Sequence, residues 1–212
     1  MIAKKTVHLQ PTFFSPIEQY AAILQSDNIV FEIEDNFQKQ TYRNRCYIHA
    51  ANGRQMLNVP LIHQKSVGKI KTKDVLIDQE TNNWQSNHIK SMQAAYRSSP
   101  FYEFYEDDIE AVLNKKHKYL LDLNIDLHEF VMESLQASQK FIVSTSYEVD
   151  SEFIDCRNFS NAKKESNATF PEYTQTFKEK HGFLKNLSIL DLLCMEGPAS
   201  FGNLNKIQLL HK

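Results

Sequence analysis

A chain of 212 residues is long enough to bury roughly 70% of its unfolded surface, so its core needs neither disulfide nor metal. Its 24 basic and 26 acidic side chains leave a net charge of −2, which gives no electrostatic case for non-specific nucleic-acid binding, since that wants a basic stripe. Glycine is scarce, five residues against an average of about 7%, and this argues against cofactor sites built on glycine-rich turns. No stretch approaches the ~18 consecutive apolar residues of a membrane span, and residues 1–8 lack the apolar centre of a signal sequence. Cys46, Cys156 and Cys194 are odd in number and far apart, as expected of reduced, buried thiols. The expectation is a cytoplasmic protein with no membrane insertion and no nucleic-acid partner.

In chain order the opening reads strand, turn, helix, strand. Residues 7–10 are short and extended, and Pro11 and Pro16 bracket a turn. Ser15 suits an N-cap and Pro16 a first helical turn, with Ile17, Tyr20, Ala21, Ile23 and Leu24 at helical spacing behind them. Residues 29–33 read as a buried strand running into a loop at 34–36. Residues 45–50 and 54–60 alternate around Asn52-Gly53, a dipeptide that favours a type I′ hairpin turn. A third extended run is expected at 70–77, after a loop at 63–68.

The texture then becomes helical. Asn82 or Asn83 can cap a helix through Arg97, ended by Ser98-Ser99-Pro100. Further helices are expected at 103–114 and 120–135, a strand at 141–149, a mobile loop near 157–169, a short helix at 171–180 and a buried helix at 188–196. No internal repeat stands out. The fold class is α/β: a mixed sheet with an early strand–helix–strand unit and a β-hairpin, followed by a helical C-terminal half, all in one domain.

Several groups carry chemistry. His8 and Gln10 close the first strand ahead of a helix N-terminus, where open α/β sheets place ligands and helices welcome anions; they equally shape a turn. Residues 35–45 gather Asp35, Lys39, Arg43, Asn44 and Arg45 on a loop after a buried strand. Arginine forks and a lysine point charge suit a phosphorylated or nucleotide-linked sugar, unless the loop is merely solvated. Trp84 and His88 share one helix stripe, and Tyr96 lies on the adjacent stripe with Ile89 and Met92. His88 at the core edge reads as an acid or base near its ordinary pKa of about 6.5, or as a packed boundary histidine. Arg157 is a lid residue or part of a loop ion pair with Asp155. Asp191, three residues after Ser188, fits a capping box. No Walker, GxGxxG, HExxH or GxSxG pattern occurs, the eight histidines are dispersed, and no metal site or cofactor is indicated.

The blocks HLQPTFFSPIEQYAAI, IVFEIEDNFQKQTYRNRCYI, NGRQMLNVPL, WQSNHIKSMQAAYRSSPFYEFYEDD and GFLKNLSILDLLCMEGP, in this order, resemble the WbqC-like family of bacterial proteins. One departure is Ser15-Pro16-Ile17 where the family often reads Pro-Trp. The resemblance implies a place in surface-polysaccharide (O-antigen or capsule) assembly and a transferase, with amino-acyl or glycine transfer proposed for the family. On this reading His8, His88 and Asp35 are catalytic. Gln10, Lys39, Arg43, Asn44, Arg45, Trp84, Tyr96 and Arg157 then contact a small-molecule or sugar-linked substrate. The alternatives are a non-catalytic protein that holds a glycan precursor or a partner of that pathway, and a nucleotidyl transferase. The aromatic run 101–105 is either core or the surface of a homodimer.

Overall fold

The computed structural model describes residues 5–63, 69–81, 83–147, 150 and 152–209. A four-stranded sheet in the order β5-β2-β1-β6 is parallel throughout. It is made of β1 (Thr6–Leu9), β2 (Asn28–Phe31), β5 (Lys140–Val143) and β6 (Ile154–Asp155). The antiparallel pair β3 (Arg45–Ala50) and β4 (Gly53–Asn58) forms a separate two-stranded sheet. Parallel and antiparallel pairings thus coexist in an α/β fold whose helices fall mostly in the second half. Residues 64–68 of the expected loop and the cap at Asn82 lie outside the described residues; the strand expected at 141–149 ends at Val143, residues 144–147 being irregular and 148–149 outside the described residues.

α1 (Ile17–Leu24) connects β1 to β2 and is buried on every side, including Glu18 and Gln19. It is enclosed by the sheet, by α6 (Ile189–Glu196) and by α7 (Ser200–Asn205). The C-terminal helices therefore pack into the core formed by the first strands, where Leu9, Phe31, Ile189 and Leu193 are all almost inaccessible. α2 (Trp84–Tyr96) lies on β3, and α3 (Tyr102–Asn114) packs between α2 and α4 (Leu120–Ser134). The 101–105 run divides in this packing: Tyr102 is buried, whereas Phe104 stands 74% exposed.

Several local expectations are corrected. Residues 70–77 do not form a strand. Phe37 N–H donates to Ile70 O and Thr72 N–H to Asp35 O, and these bonds to the 33–37 loop wind Thr72–Asp74 into a 3-10 turn. Residues 171–177 are irregular, and only Lys178–His181 is helical (α5). The hairpin turn is not type I′, because its positive φ falls on Gly53 (94°) and neither Ala51 nor Asn52 shares it. A glycine supplies that left-handed step without a Cβ penalty. Asn83 takes φ 45° and makes no side-chain cap bond. Ser188 does cap α6 through the Leu190 N–H, but Asp191 does not complete a capping box. Its carboxylate turns inward and accepts from Tyr96, Tyr173 and Gln175.

Candidate functional site

In the order β5-β2-β1-β6, the chain leaves β1 toward β2 on one side and later places β6 on the other. Connections that part in this way open a crevice at the carboxyl ends of the strands, where ligands of open α/β sheets sit. Here that crevice is a cleft of about 320 Å³. Gln10 beyond β1, Asp35 and Gln38 beyond β2, and Asp155 and Arg157 around the end of β6 line it, together with Arg43, Tyr147 and Ser160.

The geometry explains why charged groups are held there. Arg43 is buried; its Nη2 donates to Asp35 Oδ2 at 2.6 Å and its Nη1 to Thr41 and Ser160. Asp35 also accepts from the Thr72 hydroxyl and from Gln10 Nε2 at 3.2 Å. Arg157 forms a fork with Asp155, Nε and Nη2 donating at 2.9 and 2.8 Å, and its Nη1 stands 3.9 Å from Glu32 Oε2. The Arg157 hydrogen bonds hold the Asp155 carboxyl below the usual carboxylate range. Arg157 also lies 5.2 Å from the Tyr147 ring.

Behind this surface lies His8. Register pairs it with Asp155 on β6, and its Nε2 is 3.2 Å from Glu32 Oε2. Burial and the nearby Arg157 charge lower its pKa against the opposing pull of Glu32 and Asp155, which favours the neutral imidazole. Glu32 is wholly buried, and its Oε1 accepts from Glu34 N–H and the Ser144 hydroxyl. The buried polar atoms without a partner among the described residues include His8 Nδ1, Gln10 Oε1, Glu32 Oε2, Arg43 Nε and Arg157 Nη1. Such atoms are costly to bury; these five lie in the cleft or just behind it, and others, such as both ring nitrogens of His49, Trp84 Nε1 and His128 Nε2, lie elsewhere in the core.

The structure thus brings Gln10, Asp35, Arg43 and Arg157 together, with His8 directly behind them. It separates the others. Lys39, Asn44 and Arg45 line a different cleft of about 320 Å³ with the apolar side chains of Phe37, Leu61 and Ile70. Trp84 and His88 pack edge to face at 5.2 Å, and His88 also meets Phe13. His88 is not half-buried but 7% exposed, and burial pushes its pKa down to about 4. Tyr96 is fully buried, donates to Asp191 Oδ1 at 3.0 Å and accepts the His49 N–H. Tyr96 thus joins α2 to β3 through His49, while Trp84 and His88 pack beside Phe13, away from the strand-end cleft.

The N-terminus of α1 is not an anion site. Its first N–H groups are taken by the chain itself: Ile17 by Leu187 O, Glu18 by Asn186 Oδ1, and Gln19 by Pro16 O. Ser15 likewise accepts from Thr12 and Gln19 side chains rather than capping the helix. The residue the sequence left unweighed is Glu32. Its available signal was an acid inside the apolar run Ile29–Val30–Phe31, followed by Ile33.

A model of the WbqC-like protein family matches residues 10–162. The chain belongs to the WbqC-like protein family. The matched span of this WbqC-like protein contains Gln10, Glu32, Asp35, Arg43, Asp155, Arg157 and Ser160, while His8 and the 182–198 block lie outside it. No curated protein and no solved structure matches the chain. Among the described residues no helix is long and apolar enough to cross a membrane, and no three His, Cys, Asp or Glu side chains gather to hold a metal ion.

Proposed function

We propose that this WbqC-like protein is a transferase acting on a nucleotide- or lipid-linked sugar in bacterial surface-polysaccharide assembly, amino-acyl or glycine transfer being the form expected of the family. On this proposal the chain works as one domain in the cytoplasm. The observation that carries the reading is the pair Arg43 and Arg157, held 2.6 and 2.8 Å from Asp35 and Asp155 at one strand-end cleft. Two forked donors fixed by carboxylates suit the phosphates of a linked sugar, and the amides of Gln10 and Gln38 beside them suit its hydroxyls.

In this reading Asp35 orients Arg43, and Arg157 is the lid. When a phosphate draws Arg157 away from Glu32, the neutral His8 is uncovered to accept a proton from the attacking hydroxyl or amine, and Glu32 steadies the imidazolium. The test is a titration of nucleotide sugars and acyl donors against wild type, His8→Gln and Arg157→Ala. His8→Gln is expected to bind as wild type and lose turnover, and Arg157→Ala to lose binding. Wild-type binding without turnover of any donor–acceptor pair would replace this reading with a non-catalytic holder of a glycan precursor. One observation favours that second reading: His8 is 1% exposed and does not itself line the cleft.

A further inference from the structure

The arginine-lined cleft is not the largest on this face. Beyond Asp155, Asn158 and Asn161 a second cleft of about 370 Å³ runs along residues 164–168. The same three side chains line both, so the clefts lie on either side of one wall. The volume is at the low end of small-molecule sites, which span roughly 300–1,000 Å³.

The chemistry of the two sides differs. The first cleft presents two arginines, whereas the second presents a single cation, Lys164, against the carboxylates of Glu18, Asp155 and Glu165. Beside these are the rings of Phe153 and Phe159 and the amides of Asn158, Asn161 and Asn167. Glu18 is 6% exposed although it sits in the first turn of α1, where a solvated acid would serve the helix dipole at less cost. The fold holds it in place. Asn186 Nδ2 donates to its Oε1 at 2.8 Å, the Ser166 hydroxyl donates to its Oε2, and Ser166 also accepts the Ala168 N–H. Burial pushes the Glu18 pKa up, so added hydrogen-bond donors would favour its charged form.

We propose that this second cleft binds a sugar ring that carries hydroxyls and no phosphate, with Glu18 and the asparagine amides bonding its hydroxyls and a phenylalanine ring covering its C–H face. Amides and a carboxylate can both satisfy hydroxyls, and the electron-rich face of an aromatic ring accepts weakly positive C–H groups. The wall through Asp155 then places an uncharged acceptor against a phosphate-bearing donor. This assignment rests on reading the first cleft as the anion site only for that pairing; the sugar site itself stands on its own lining.

The experiment is amide NMR of the full chain titrated with methyl glycosides of the common hexoses and their N-acetyl forms, and separately with inorganic pyrophosphate. At least one glycoside is expected to bind saturably and shift the amides of Glu18, residues 153–161 and residues 166–168. Glu18→Gln is expected to weaken that binding by about tenfold or more and leave pyrophosphate binding unchanged. If Glu18→Gln does not fold, Asn167→Ala, an exposed position, serves in its place. No glycoside binding, or shifts confined to Gln38, Arg43 and Tyr147, would overturn the sugar site. UDP-glucose that displaces the glycoside where pyrophosphate does not would mean that one ligand spans both clefts, which overturns the two-ligand arrangement. Failure of pyrophosphate alone would count against the anion site and leave the sugar site standing.

Discussion

Asp35 and Arg43 stand eight residues apart in the chain and meet at 2.6 Å, because the loop between them doubles back at Gln40, which takes φ 62°. The contact is buried on both sides, and Thr72 and Gln10 complete the shell around the carboxylate. Three segments remote in sequence, at Gln10, the 35–43 loop and Thr72, are thereby tied together beside one cleft.

Breaking this pair leaves a buried charge without its partner. Arg43→Ala is expected to lower unfolding stability by about 3–5 kcal/mol in urea titrations. Replacing both residues, as in Asp35→Leu with Arg43→Met, is expected to recover much of that loss while ligand binding stays absent. A single variant as stable as wild type would show that the pair is solvated.

Asp191 anchors the opposite side of the core. Tyr96 and Tyr173 donate to it at 3.0 and 2.6 Å and Gln175 at 2.8 Å, and burial pushes its carboxyl pKa up. Asp191→Ala strands three donors and is expected to cost about 3 kcal/mol or more, against about 1 kcal/mol for Tyr96→Phe. Tyr96→Phe is also expected to leave ligand binding unchanged by calorimetry, since Tyr96 lies in this network and lines none of the clefts described.

The outline of the fold was legible because burial and periodicity agree over its longest elements. α3, α4 and α6 fall where apolar spacing puts them, and β1, α1 and β2 follow their prolines and their apolar runs. The local errors share a cause: a tertiary partner took a group that local chemistry had assigned elsewhere. Asp191 abandoned its capping box for two tyrosines, and Thr72 turned toward Asp35 instead of extending a strand. For the candidate site, Asp35, Arg43 and Gln10 were visible as residue types on a loop at a strand end. That Lys39 and Arg45 would face another cleft was not, because side-chain direction along an irregular loop has no period to read.

Buried histidines predict acid sensitivity. Burial pushes His88 and His128 each down to about 4 and also lowers His8 and His49. Unfolded, each titrates near 6.5, so below that pH the unfolded chain takes up protons that the folded chain refuses. Their contribution is fully present above about 6.5 and is lost as pH falls toward 4, at roughly 3 kcal/mol for each of His88 and His128. His88→Gln should flatten the fall in urea-unfolding free energy across this window by close to one proton's worth. An unchanged slope would place His88 in water.

Gly197 ends α6 at φ 50°, and a Cβ there would stand 2.5 Å from the ring of Phe101. Gly197→Ala is therefore expected to lower the thermal midpoint by several degrees, with about 2 kcal/mol lost. Adding Phe101→Leu should return part of it. A neutral Gly197→Ala would contradict the close approach.

In the proposed function Arg43 and Arg157 form one anion site at the carboxyl ends of the parallel strands. It is tested most directly by calorimetric titration of nucleotide sugars and pyrophosphate into wild type and Arg157→Ala, the arginine whose removal disturbs the core less. Saturable binding to wild type is expected, weakened at least about tenfold in Arg157→Ala, with the fold intact by circular dichroism. Equal binding by the two proteins, or none to wild type, would contradict it.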